Sequence, residues 1–189
     1  MAKESQSMFE TFGKKKKVNR PLPEIDHPAM GRLSGASGVL QGRIESEHGV
    51  IAVSINPAGQ PIEASLFFAE SVMQNIAALS DRGRDLVAAD ALEAYNCDWR
   101  FGERINDGGI MEMFEKPQKS KAEFCASLTL STVQITGSEH VTLRFACEDL
   151  PLMRNFCVTS SDGVDFNDVR VELQGGDAPS VAHQANRWH

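Results

Sequence analysis

Along the later part of the chain, apolar residues recur with a period of two. Val141, Leu143, Phe145 and Cys147 alternate with Thr142, Arg144 and Ala146, as in a strand with one buried face. A β-branched stretch, 129–135, precedes it, and Thr136-Gly137-Ser138-Glu139-His140 predicts the turn that joins the two into a hairpin. Residues 155–159 and 169–173 predict a second hairpin. There Val169, Val171 and Leu173 share a side opposite Arg170 and Glu172, and Asp162-Gly163 supplies a tight turn. Earlier, 39–44 and 50–55 predict a third, with Val53 and Ile55 on one face and Ala52 and Ser54 on the other. The turn-forming run Asn56-Pro57-Ala58-Gly59-Gln60-Pro61 follows, and 62–68 reads as opening with a short strand.

From 69 to 95 the period lengthens to that of a helix. Met73, Ile76, Ala77 and Leu79 form one apolar stripe, and Val87, Ala91 and Tyr95 belong to a second helix. Gly83 marks an expected interruption, with Ser80 and Asp81 as caps for the second helix. The run 101–118 has no clear phase, because Gly102, Asn106, Asp107, Gly108, Gly109 and Pro117 break it. Ser120 and Glu123 have the spacing of a capping box and open a short helix ending about Leu128. These elements predict an α+β fold, an antiparallel sheet built from hairpins with a central helical insertion. A doubly wound nucleotide-binding sheet would need repeated strand-helix crossovers, which the pattern does not supply.

Pro21 and Pro23 stiffen the chain before this pattern begins, and Gly175-Gly176-Asp177-Ala178-Pro179 follows its end. The expected organisation is a basic flexible N-terminal tail, 1–24, a single domain, 25–175, and a flexible C-terminal tail, 176–189. A chain of 189 residues is long enough to build one core without a disulfide or a structural metal. The glycine-rich 31–38 segment reads as a structural loop, since it lacks the Lys-Ser/Thr continuation that meets phosphates.

Charge divides the chain. Lys3, Lys14, Lys15, Lys16, Lys17 and Arg20 face only Glu4 and Glu10 in the first twenty residues, whereas the whole chain carries −7. The acidic remainder disfavours specific nucleic-acid binding and favours a basic protein partner. The lysine run leaves a weak contact with an anionic membrane surface as an alternative use of the tail. No stretch is long and apolar enough to span a bilayer, and the first residues lack the apolar core of a secretory signal, so a cytoplasmic location is expected. Cys97, Cys125, Cys147 and Cys157 form no CxxC pair and read as reduced core thiols.

Catalytic signatures are weak. GxGxxG, GxxxxGK, HExxH and GxSxG are all missing, so no catalytic, cofactor or metal set is assigned. Asp162, Asp165, Asn167 and Asp168 depart from the order of a calcium loop and read as a solvated turn. Asp26 beside His27, Glu47 beside His48, and Cys97 beside Asp98 are adjacent pairs, and adjacency alone does not orient a proton relay. Tyr95-Asn96-Cys97-Asp98-Trp99 is the most distinctive cluster: its two rings, four apart, either pack internally or give a rigid contact to a partner.

The runs His27-Pro28-Ala29-Met30-Gly31-Arg32-Leu33, Tyr95-Asn96-Cys97-Asp98-Trp99, Ser120-Lys121-Ala122-Glu123-Phe124 and Leu143-Arg144-Phe145 resemble a bacterial domain family of uncharacterised function with immunity-like members, over about residues 26–173. The Gly-His pair associated with that family before its penultimate strand is replaced here by Arg154-Asn155. The resemblance implies a compact cytoplasmic protein concerned with protein recognition, and supplies no catalytic set. The expected function is therefore protein binding or regulation. Asp85, Asp90 and Glu93 would steer a basic partner, while Tyr95 and Trp99 would form a less salt-dependent contact. The alternative is an enzyme whose acidic and histidine groups converge in a cleft, uniting His27 or His48 with Asp98 or Cys97.

Overall fold

The computed structural model describes residues 24–46, 49–105, 108–147, 150 and 154–173. The predicted tails, Glu24 excepted, and Glu47-His48 lie outside the described residues.

Among the described residues, ten strands and three α-helices make up the α+β fold. They run β1 (Ile25–His27), β2 (Gly31–Ala36), β3 (Val39–Ser46), β4 (Gly49–Asn56), α1 (Ile62–Gln74), α2 (Ile76–Ala94), a π-helical turn (Tyr95–Trp99), β5 (Phe101–Ile105), β6 (Met111–Glu115), α3 (Lys121–Ala126), β7 (Leu128–Thr136), β8 (His140–Cys147), β9 (Arg154–Ser160) and β10 (Phe166–Leu173). Eight strands form one sheet in the order β1-β2-β3-β4-β7-β8-β9-β10, and β5 and β6 form a separate hairpin. All neighbours in the sheet are antiparallel except β4 and β7, where Val53 lies beside Val133 and Ile55 beside Ile135. That parallel pair follows from the helical insertion: a chain that leaves the end of β4 through helices re-enters alongside it, as a crossover does. The sheet is thus mixed, with hairpins on either side of one crossover.

Its inner face holds the core. Val141, Leu143 and Phe145 are fully buried, with Leu143 between Val133 and Val158 and Phe145 opposite Phe156. Val72, Val87, Ala88 and Ala91 from α1 and α2 join the same cluster, as does Phe124 from α3. The predicted alternation of β8 and the two flanking hairpins accordingly lie where the pattern put them. Ser120 and Glu123 complete the predicted capping box, and α3 stops at Ala126.

Four local readings change. Residues 62–68 are helical rather than a strand: Ile62, Leu66, Ala69, Val72 and Met73 recur at helical spacing, and they settle the phase. The helical region breaks at Asn75, not at Gly83. Asn75 leaves helical geometry, donates its backbone N–H to Val72 O (3.1 Å), and donates its side-chain amide to Ser71 O (3.0 Å). Gly83 continues α2 because the helix crosses β8 there, and an added Cβ would sit 2.8 Å from the Phe145 ring. Ser80 consequently lies inside the helix, its buried hydroxyl capping nothing. The expected 31–38 loop is instead β2 and a tight Ser37-Gly38 turn, where both residues take positive φ.

The outer face is largely polar, and no helix of the described residues packs on it. Arg43, Ala52, Thr132, Arg144, Cys157 and Arg170 lie side by side across six strands. Arg144 and Glu172 form an ion pair across β9, on the face that carries Cys157. Cys157 is buried on this outer face, and burial pushes its thiol up to about 12. All four cysteines are free: Cys147 and Cys157 are buried and Cys125 is half-buried, but Cys97 is exposed, which corrects its expected place in the core. No described helix is long and apolar enough to cross a membrane.

Candidate protein-recognition surface

The distinctive 95–99 cluster is the root of the β5–β6 hairpin. Helix α2 widens into a π turn in which Arg100 N–H donates to Tyr95 O, five residues back, at 3.1 Å. Asn96 then holds the returning chain through two bonds: its amide donates to Lys119 O and its Oδ1 accepts from Lys119 N–H, both at 2.9 Å. Arg100, only 12% exposed, joins both strands to the helix. Its Nε donates to Asn96 O (2.8 Å), its Nη1 donates to Lys116 O (2.9 Å) and pairs with Glu115, and its guanidinium lies 4.0 Å from the centre of the Phe101 ring. These bonds satisfy polar groups where the chain leaves and rejoins the core, so the excursion is tied at its base.

Beyond that base the hairpin stands apart, pairing with no strand of the large sheet. Gly102 lies beneath the Phe114 ring, which a Cβ at 102 would meet at 2.5 Å, so the inward-facing pair is filled from β6 alone. The opposite face carries Phe101, Glu103 and Ile105 from β5 and Met111, Met113 and Glu115 from β6. Ile105, Met111 and Met113, with Ile110 beside them, are between 64% and 72% exposed, and Phe101 is 40% exposed. Four large apolar side chains exposed together make this hairpin the candidate contact surface. Methionines add side chains that repack readily around a partner.

The five residues expected to bind a partner divide between surface and core. Asp90 and Glu93 are exposed on the last turns of α2 and make no ion pair among the described residues. Asp85 is exposed but engaged by Lys121 at 2.7 Å, so its charge is locally matched. At about 100° per residue, Asp85 and Asp90 stand roughly 140° apart around the helix and do not form one stripe. Tyr95 is wholly buried, with its ring 5.4 Å from Phe124 and its hydroxyl donating to Pro117 O at 3.4 Å; the surface contact expected of it is corrected to core packing. Trp99 is half-buried against Phe156 at 6.2 Å. Both rings join one aromatic cluster, in which Phe124 and Phe156 lie 6.1 Å apart.

The convergence expected of an enzyme is not met by the described residues. His27 sits on the edge strand β1, where its Nδ1 accepts from Ala29 N–H, whereas Cys97 and Asp98 are exposed in the π turn. A shallow cleft of about 560 Å³ is lined by Asp81, Arg84, Asp85, Cys125, Leu128 and Thr129, among others. Arg84 spends its donors on Leu128 O (3.0 Å) and Asp81 (2.9 Å), while burial and the nearby Asp85 push the Cys125 thiol up. This cleft joins α2 to β7 and holds no activated nucleophile. A second cleft, about 370 Å³, runs between Phe68, Asn75 and Leu79 and the β9–β10 turn at Val164. In that turn Asp162 accepts from Val164 N–H (2.9 Å), Asp165 N–H (2.8 Å) and the Ser160 hydroxyl (2.8 Å), which hold its carboxyl down at about 2. Among the described residues no three His, Cys, Asp or Glu side chains are placed to hold a metal ion.

The residues that the sequence reading left without a role are Phe101, Ile105, Met111 and Met113. Their signal was present as two short alternations flanking Asn106-Asp107-Gly108-Gly109, a hairpin pattern obscured by Gly102 and by the mixture of apolar and acidic residues on the outward face. No family model, curated protein or solved structure matches this chain.

Proposed function

We propose that this chain is a binding or regulatory protein that recognises another protein through the apolar face of the β5–β6 hairpin, with Asp90 and Glu93 on the adjoining helix end steering a basic partner. The observation that carries this reading is the row of Ile105, Met111 and Met113 left bare on a hairpin anchored by Arg100 and Asn96. A firmly rooted element that exposes large apolar side chains invests in contact with something else. An immunity-like role and a cytoplasmic setting belong to the same proposal, the latter supported by four free thiols.

The test is capture of a partner from the source cell by the full chain and by the Ile105→Asp, Met113→Asp double variant. Captured partner should fall by at least about tenfold, while the unfolding midpoint moves by no more than about 2 °C, because both side chains are already in water. Asp90→Asn with Glu93→Gln should slow association a few-fold at low salt and leave it unchanged at high salt. Unchanged capture by the hairpin variant would overturn the proposal, as would a turnover abolished by His27→Ala or Cys97→Ala.

A further inference from the structure

Resting on the hairpin as the docking surface, we propose that the partner is bound as an added β-strand along the free edge of β5, and that its segment places a Lys or Arg, flanked two residues away on each side by apolar residues, against Glu103.

The phase of the hairpin ladder carries the first half. Lys116 N–H donates to Arg100 O at 2.8 Å, which makes Gly102–Phe114 and Arg104–Glu112 the mutually bonded pairs. The backbone N–H and C=O groups of Phe101, Glu103 and Ile105 then point away from β6, and no third strand meets them among the described residues. A strand edge of this kind is a template for another chain. The same three residues put their side chains on the exposed face, so one added strand would satisfy the backbone and lay its own side chains beside Phe101, Glu103 and Ile105.

Charge selects the edge and the occupant. On β6 the outward acid, Glu115, is already held by Arg100. On β5 the outward acid, Glu103, makes no ion pair among the described residues, and it stands between Phe101 and Ile105 in an apolar-acidic-apolar row. Directly opposed side chains favour opposite charge and like polarity, so the complement is apolar-basic-apolar. A second copy of this chain does not fit. Pairing two β5 edges about a two-fold axis would set Glu103 against its own counterpart, with Phe101 against Ile105, and both chains carry −7.

The experiment titrates the full chain with a synthetic peptide, acetyl-Thr-Val-Thr-Lys-Thr-Val-Thr-amide, and with two controls: one with Glu in place of Lys, one N-methylated at the backbone amides that would face β5. Binding of the parent peptide should weaken by at least about tenfold in each control, and exchange of the Glu103 and Ile105 amide protons should slow by at least about tenfold when the parent peptide is bound. Glu103→Lys should invert the preference, so that the Glu peptide binds the variant more tightly than the Lys peptide. Equal binding of the N-methylated peptide, or unaltered exchange at Glu103, would overturn strand addition. Failure of every peptide while Ile105→Asp with Met113→Asp still abolishes partner capture would also overturn it, and would leave the docking surface standing. Capture unaffected by that double variant would remove the docking surface and this inference together.

Discussion

In β8, Val141, Leu143 and Phe145 alternate with Thr142 and Arg144, and the apolar side lies beneath α2. In β5 and β6, Ile105, Met111 and Met113 also share one face, there with Glu103 and Glu115, and all three apolar side chains stay largely exposed. The difference lies in what each hairpin was given to pack against. β7 and β8 are flanked by β4 and β9, and all four lie under the same helical layer, so burying one face is shared among many partners. The β5–β6 hairpin leaves the end of α2 and returns to the start of α3 without joining the sheet. Period alone therefore identifies a strand and its faces, while burial depends on whether a second layer reaches it.

The largest expected effect separates the two hairpins directly. Leu143→Ala should cost about 2–4 kcal/mol in denaturant titration through lost burial and a cavity, whereas Met113→Ala should cost under about 0.5 kcal/mol. Equal losses would mean that the hairpin contributes to the same core. A smaller effect probes the root that holds the hairpin out. Asn96→Ala removes both bonds to the Lys119 backbone and should cost about 1–2 kcal/mol. The loss should register chiefly as faster amide exchange across 101–115, with 128–147 still protected. Uniform loss of protection would show that root and sheet unfold as one unit.

The smallest effect belongs to a turn of the main sheet. The Asp162 carboxyl, held at about 2 by the N–H groups of Asp165 and Val164 and the Ser160 hydroxyl, is ionised more readily folded than at its ordinary 3.8. Its contribution is present above that ordinary value and disappears as pH falls through about 2. Asp162→Asn should therefore lower stability at neutral pH, flatten part of the acid limb in a stability-against-pH series, and converge with the parent chain as pH falls towards about 2. An unaltered acid limb would place the titration elsewhere.

Legibility followed the strength of local constraint. The β7–β8 and β9–β10 hairpins were readable because β-branched alternation, Thr136-Gly137 and Asp162-Gly163 all favour the same geometry. The α3 capping box was readable because both partners lie within one turn. Gly83 misled, since glycine inside a helix looks like a break until the Phe145 ring beneath it is known. Tyr95 and Trp99 were recognised as distinctive, but sequence spacing cannot say whether two rings on one side meet solvent or meet Phe124 and Phe156. The hairpin at 101–115 was missed because Gly102 and the loop glycines read as disruption, whereas Phe114 fills the space above Gly102.

By itself, the sequence determined the α+β class, the inward face of β8, the cap of α3 and the net acidity of the chain, because periodicity, capping and charge act over a few residues or over the chain as a sum. Tertiary structure decided the rest: that β4 and β7 run parallel, that Tyr95 is core while Met113 is surface, and that Asn96 and Arg100 brace a hairpin lying outside the sheet. Those outcomes depend on which segments meet across tens of residues, and contact between distant segments is set by how layers stack rather than by any local pattern.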